Sequence, residues 1–326
     1  MPTLMLTTTC QNKCEWCFAR SRMEDYRNRG LFEMAWEDFV IAVDFCRNAG
    51  LNTIHLLGGE PTRHSKFLDV LVYLNSLRLQ TYVVTNAIVK PSLIDSIVDR
   101  NFSGLQFGVN STPYFTYSTQ TRGYIDYFLQ HIKNPIMLGY TITASDVACR
   151  SITPILDRVS LIQRFLLTRH LQFQIAVPNG SNRDYVRFHE YTQAIELLSQ
   201  WSCVLSEHGV SVGLDCHCVP SCKIDQTNRI PITVSSKCTQ FMIDIGPDLV
   251  VWPCFPVSAI RRKLSEFRDI SDMQETFRKD LEAKGVLYEA ECSGCPERAQ
   301  LSCDAGCWGF QQIRGSTCPG TGILDN

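Results

Sequence analysis

What these 326 residues lack narrows the field. No apolar run approaches the roughly 18 residues needed to cross a bilayer. The N-terminus, MPTLMLTTTCQNKC, has no basic stretch followed by an apolar segment, so no signal peptide is read. Net charge is close to nil, at −2 from 31 basic and 33 acidic side chains. Only Arg261-Arg262-Lys263 forms a basic block, so neither nucleic acid nor an anionic membrane is an expected partner. Internal repeats and low-complexity segments are missing too. What remains is an ordinary globular balance, 44% hydrophobic and 20% charged, in a chain long enough to bury a sizeable core. The expected location is the cytoplasm.

Cysteine is plentiful, with 16 residues placed unevenly. In a secreted chain they would suggest a disulfide framework; in a cytosolic one, clustered thiols more often bind metal or do redox chemistry. Along residues 3 to about 215, short apolar runs alternate with helical patterns. Strands are expected at 3–9, 53–57, 81–85, 105–109, 136–143 and 173–177, with a short one at 210–214. Helices are expected at 34–49, 66–77, 91–98, 123–132, 155–168 and 191–207. Such alternation argues for a parallel sheet covered by helices, either doubly wound or an incomplete barrel. After Asp215 the character changes. Residues 216–326 hold ten of the cysteines and many Pro, Gly and Ser, with one short amphipathic helix expected at 271–283.

Directly after the first strand stands Cys10-x3-Cys14-x2-Cys17, with Trp16 before the last thiol. Four close thiolates normally hold a cubane iron–sulfur cluster. Three would hold three irons and leave the fourth open, as a catalytic metal site requires. The ends of parallel strands are also where α/β folds place their chemistry. The plain alternatives are a zinc site or three buried thiols. Cys-x3-Cys-x-aromatic-Cys resembles the signature of the radical S-adenosylmethionine (SAM) superfamily. Gly58-Gly59-Glu60-Pro61 resembles that family's motif contacting the SAM amino group: glycines permit close backbone approach and Glu60 could accept from an ammonium. Thr85-Asn86-Ala87 is similar to the family's Thr-Asn-Gly, with Ala in the glycine position. Asn110, Ser111, Thr141 and Thr143 are candidates for the SAM carboxylate and ribose, or else turn and cap residues. Val177-Pro178-Asn179 stands where the family seats adenine.

The resemblance implies an incomplete (β/α)6 TIM-like barrel over residues 1–215. It also implies reductive cleavage of SAM to methionine and a 5′-deoxyadenosyl radical, which abstracts hydrogen from an unactivated C–H bond. Farther on, Cys238-x15-Cys254 and Cys292-x2-Cys295-x7-Cys303-x3-Cys307-x10-Cys318 resemble the SPASM extension, which binds two auxiliary [4Fe–4S] clusters. The middle gap is two residues longer than the family's, and Leu249 stands where a glycine is usual. The implied small, loop-rich domain spans 238–326, behind a bridging segment at 216–237. The family's interleaved ligation would give one cluster Cys238, Cys254 and Cys307, with Cys222 preferred over Cys216 or Cys218 as fourth ligand. The other would take Cys292, Cys295, Cys303 and Cys318. Two zinc sites are the alternative.

Cys46 and Cys203 fall on helical patterns as core thiols. Cys149, expected in a loop, is a hydrogen-atom donor or a bystander. Asp215 is a proton acceptor or a loop cap; His217 reads as a loop residue, and Trp308 as packing on a cluster. Enzymes resembling this architecture modify peptides. The expected activity is a covalent crosslink (C–C, C–O or thioether) in a ribosomally made peptide, with a flavodoxin- or ferredoxin-type electron donor. Formylglycine formation, epimerisation, a small-metabolite reaction and a non-catalytic metal scaffold are the rivals. With the first strand opening the chain, leader recognition would fall to a separate protein or to the barrel surface.

Overall fold

The computed structural model describes residues 2–110, 114–215, 219–223, 243–283, 292, 294–300, 303–304, 307 and 309. Seven parallel strands run in sequential order: β1 (Thr3–Thr7), β2 (Thr53–Gly58), β3 (Gln80–Thr85), β4 (Leu105–Val109), β5 (Ile136–Ile142), β6 (His170–Ile175) and β7 (Ser211–Leu214). Helices α1 (Arg20–Asn28) and α2 (Trp36–Asn48) follow β1, α3 (Phe67–Ser76) follows β2, and α4 (Pro91–Arg100) follows β3. Next come α5 (Thr119–His131), α6 (Ala144–Cys149), α7 (Thr153–Phe165) and α8 (Tyr191–Glu207), then α9 (Ile270–Ala283) and the single turn α10 (Pro296–Ala299). Each parallel step needs a crossover long enough for a helix, which places a helical layer outside the sheet. The expected incomplete (β/α)6 barrel is what forms, with β7 as an added strand.

Period-two alternation decides what each face does. Leu4, Leu6, Ile54, Leu56, Val83, Phe107, Leu138, Tyr140, Leu171 and Phe173 are buried in the main core with the helices. The other face is apolar only near β1–β3, where Met5, Leu57 and Val84 join Met23, Tyr26, Trp252 and Phe255 in a second cluster. Farther along, that inner face is polar.

Two features depart from expectation. Helix α1 is invisible to periodicity, since only Arg22, Met23 and Tyr26 of its nine residues are buried. It is held from outside instead. Tyr26 Oη and an Arg29 guanidinium nitrogen donate to Asp248 at 2.8 and 2.9 Å, Arg261 pairs with Asp25 at 3.3 Å, and Arg22 stacks over Trp252. The second departure is that residues expected in a separate small domain extend the barrel sheet. β8 (Asp244–Ile245) pairs in parallel with β1, and β9 (Val250–Trp252) and β10 (Arg262–Lys263) add antiparallel beyond it. A free β1 edge would leave a row of unpaired backbone groups, and β8 covers part of it. Among the described residues, no helix is long and apolar enough to cross a membrane.

Candidate active site

The loop leaving β1 carries Cys10, Cys14 and Cys17, all half-buried. Its backbone is held at several points. Arg20 donates to the Lys13 and Cys14 carbonyls. From the loop after β6, Asn179 Nδ2 donates to the Cys17 carbonyl at 2.7 Å and the Arg183 amide to the Glu15 carbonyl at 3.0 Å. Trp16 lines a cleft of about 410 Å³ with Gln11, Asn12, Lys13, Cys14, Glu15, Thr116 and Tyr117. The three thiols share one electrostatic environment. Burial, then Cys17 and Cys10, pushes Cys14 up to about 12. Burial likewise raises Cys10 and Cys17.

This donor set fits a cationic iron–sulfur group. Buried thiolates repel one another, and bound iron offsets that cost. N–H groups already aim at the sulfurs. The Asn12 amide and Asn86 Nδ2 lie 3.4 and 3.9 Å from Cys10 Sγ, and the amides of Ala19 and Arg20 pull against the rise at Cys17. Hydrogen bonds to sulfur are one of the means by which a protein sets a cluster's potential. Among the described residues, no three His, Cys, Asp or Glu side chains close on a point the size of one metal ion.

The Gly-Gly-Glu-Pro segment makes close contacts within the protein itself. The Glu60 side chain is buried and its oxygens are engaged within the protein. Oε1 accepts from the Thr62 amide and hydroxyl and from Thr85 Oγ1 at 3.3, 2.8 and 2.7 Å; Oε2 accepts from the Asn86 amide at 2.8 Å. Burial pushes its pKa up, against the pull of these four bonds. Glu60 therefore ties the end of β2 to the end of β3. The glycines make a close approach, but to the chain itself: a Cβ on Gly58 would lie 2.3 Å from the Thr7 carbonyl oxygen, and one on Gly59 2.3 Å from that of Thr9. Pro61 opens a short 3-10 turn.

Replacing Glu60 tests this tie. Glu60→Ala leaves the buried Asn86 amide and the half-buried Thr62 amide without acceptors, at about 1–3 kcal/mol each. We expect a loss of about 4 kcal/mol in total, read as a Tm lower by roughly 8 °C. An unchanged Tm would mean the carboxylate holds nothing.

Thr85 and Asn86 reach the same place. Asn86 Oδ1 accepts from Gln11 Nε2 at 3.1 Å, fastening β3 to the cysteine loop. Ala87, where the family has Gly, adopts φ 61°. That left-handed conformation costs a non-glycine residue about 1–2 kcal/mol. Asn110 and Thr141 meet on the inner face, their side chains 3.2 Å apart. Thr143 serves instead as the N-cap of α6, in a capping box with Asp146. Val177 is half-buried at the end of β6, its carbonyl accepting from Asn182.

Other expected residues lie apart. Cys149 ends helix α6 rather than sitting in a loop, and is exposed. Cys46 is buried in the core as expected. Cys203 is exposed, because α8 turns Ile195, Leu198, Trp201, Ser202 and Leu205 inward. Asp215 Oδ2 accepts from Gln174 Nε2 at 3.3 Å, on the inner wall.

Of the C-terminal thiols, Cys254 precedes Phe255, whose ring meets Phe18 edge-on at 5.0 Å, one residue past Cys17. Cys307 Sγ accepts from the Gly309 amide, and Gly309 lies close against the Pro178 carbonyl. Cys292 is buried, and Cys295 and Cys303 are half-buried. Burial raises the pKa of the exposed Cys222, Lys223 pulls it down, and Cys303 and Cys295 add smaller upward contributions. Ser111, Cys216, His217, Cys218, Cys238, Trp308 and Cys318 lie outside the described residues.

Sequence reasoning missed Gln174 and Gln11. Gln174 alternates with Leu171 and Phe173 along β6, a period-two signal for a polar inner face. Gln11 lies in a loop, where no periodicity marks it.

Comparison with known proteins follows the same outline. Residues 4–141 match the profile of the Radical SAM superfamily. No curated protein matches the sequence. Crystal structures of Streptococcus suis SuiB superpose over 97% of this chain and 74% of theirs, at TM-score 0.67 and 14% identity. SuiB bound to its precursor peptide SuiA gives the same TM-score and identity over 72% of its chain. SuiB bound to S-adenosylmethionine gives TM-score 0.65 at 13% identity. At such identity the likeness is one of fold. Over residues 4–141, which include the three-thiol loop at the end of β1, the chain is similar to the radical SAM superfamily of enzymes, and that likeness implies a [4Fe–4S] cluster and SAM.

Proposed function

We propose that this enzyme modifies a ribosomally made peptide by installing a covalent crosslink. Cys10, Cys14 and Cys17 would hold the cluster. The backbone of Gly58 to Pro61, with Trp16, Thr85, Asn86, Asn110, Ser111, Thr141 and Val177, would seat SAM. When bound, cluster and SAM together supply a radical able to take a hydrogen atom from an unactivated C–H bond.

The observation that carries the reading is the reach of the fold likeness, 97% of this chain, onto a protein crystallised with a precursor peptide. It extends past the barrel into the thiol-rich segment. Cys222, Cys238, Cys254, Cys292, Cys295, Cys303, Cys307 and Cys318 would hold two further clusters there. A crosslink removes two hydrogens and must pass an electron on after the radical step, and further clusters beside the barrel would receive it. The fastening of α1 and Phe18 to residues 248–261, the segment that carries Cys254, supports this reading. The reductant would be a flavodoxin- or ferredoxin-type protein.

The test uses anaerobically loaded enzyme, dithionite, SAM and any short Cys- or aromatic-rich peptide found encoded beside this gene. The expected outcome is 5′-deoxyadenosine together with a peptide lighter by two hydrogens. An unchanged mass with inverted stereochemistry, or 5′-deoxyadenosine with no change in the peptide, would overturn the crosslinking reading.

A further inference from the structure

Midway down the barrel, two ionisable side chains meet on the inner wall. His55 and Tyr82 are register partners on β2 and β3. Alternation turns both inward, since their neighbours Leu56 and Val83 are buried in the outer core. Their ring centroids are 5.0 Å apart. Tyr82 leans over β4, where a side chain at Gly108 would collide with its Oη. Among the described residues, neither the Tyr82 hydroxyl nor the His55 ring has a hydrogen-bond partner. A phenol drawn into a protein usually finds one. Both side chains are half-buried, and their polar atoms stay open to solvent.

Solvent reaches them from the lower end. On the same inner face, near the N-terminal ends of the strands, Gln80, Gln106 and Ser211 are exposed. Toward the cysteine-loop end stands Asp215, whose Oδ2 accepts from Gln174 at 3.3 Å. Burial, then the Asp215 charge, pushes Tyr82 up to about 12. Burial holds His55 down at about 4. At neutral pH one is therefore an intact phenol and the other a neutral imidazole. Each can accept a proton and give one up, as a relay must. Water bridges polar groups at such separations.

We propose that Tyr82 and His55 relay a proton from the reacting end of the barrel, down its lumen, to solvent at the lower mouth. The proposal rests on the crosslinking reading. In that reaction one hydrogen leaves the peptide as an atom, to the radical that SAM supplies. The carbon left behind bonds to a second side chain, whose X–H bond (X being C, O or S) breaks. The electron released passes to an oxidised further cluster, and a proton is set free inside the barrel. Tyr82 accepts it at Oη, through water on the Asp215 side, while giving up its own. His55 accepts at one ring nitrogen and releases from the other.

The experiment uses anaerobically loaded enzyme, dithionite, SAM and the peptide of the crosslinking test, with iron and sulfide content showing that each variant is loaded. Tyr82→Phe keeps the ring over Gly108 and removes only the hydroxyl. Its crosslinking rate should fall by about a hundredfold while 5′-deoxyadenosine is still released, so that SAM is spent without product. His55→Ala should behave alike. Added imidazole, entering at the lower mouth, should restore its crosslinking, whereas furan, a ring of like size with no nitrogen, should not. A high-resolution crystal structure should show ordered waters joining Tyr82 Oη to Asp215 and His55 to the mouth. Full-rate crosslinking by Tyr82→Phe, an equal fall in both products, or any rescue pattern of His55→Ala other than imidazole alone would overturn the relay, as would a dry lumen in the crystal. A wild type that releases 5′-deoxyadenosine and never lightens the peptide overturns the crosslinking reading instead. The crystal then decides by itself whether the line of waters exists.

Discussion

Gly59→Ala is expected to strip the N-terminal cluster from this protein. The methyl group would stand 2.3 Å from the Thr9 carbonyl oxygen, 2.6 Å from its carbon and 3.0 Å from the Thr8 carbonyl carbon. All three are backbone atoms, so no side chain can swing aside. The Gly59 and Glu60 amides donate to the Thr7 and Thr9 carbonyls at 2.6 and 2.7 Å, and those bonds hold the end of β1 against the end of β2. Pushing Thr9 away moves Cys10, the next residue, out of register with Cys14 and Cys17. Iron should fall by about four atoms per chain, the content of one cubane, and SAM cleavage should cease. Gly123→Ala is the control, since a Cβ there meets nothing within 4 Å in α5. It should leave iron unchanged and add about 0.5–1 kcal/mol of stability. A fully loaded, active Gly59→Ala enzyme would contradict the packing account of this motif.

The same segment shows what a sequence carries and what it hides. Gly-Gly-Glu-Pro marks the end of a strand, as the structure shows, and points to a site. It cannot say which partner the glycines approach, because close approach to a ligand and close approach to a neighbouring strand demand the same residue. Nor can it tell a carboxylate facing a ligand from one consumed by Thr62, Thr85 and Asn86. The regular elements were far more legible. Leu105–Val109 and Tyr191–Glu207 fall where periodicity puts them, because burial on one face imposes a repeat.

Where burial is not one-sided, the signal fades. Helix α1 is fastened by charged and aromatic contacts to residues more than 200 positions away, such as Asp248 and Ser258. Strands β8 and β10 are two residues long, too short for any alternation to register. Cys203 and Trp201 lie two apart on α8, and only their angle around the helix separates an exposed thiol from a buried indole. The grouping of the C-terminal thiols is a matter of three-dimensional proximity that spacing alone does not encode.

The second large effect concerns the thiols themselves. Cys10, Cys14 and Cys17 are half-buried, mutually repelling when ionised, and supplied with N–H donors aimed at sulfur. Without a cationic partner that arrangement is unfavourable. With iron it becomes a three-point mount that leaves one metal corner for an exogenous ligand. Removing all three side chains abolishes the mount while leaving the strands and the outer core of the barrel untouched, since none of the three belongs to that core. The most direct measurement is iron and sulfide content with EPR, with and without added SAM, on anaerobically purified wild type and on Cys10→Ala/Cys14→Ala/Cys17→Ala. We expect about twelve irons in the wild type and about eight in the variant, if each site is a four-iron cubane. The wild-type signal should shift on adding SAM, and the variant should show no shift. Equal iron in the two proteins, or a wild-type signal indifferent to SAM, would contradict the account.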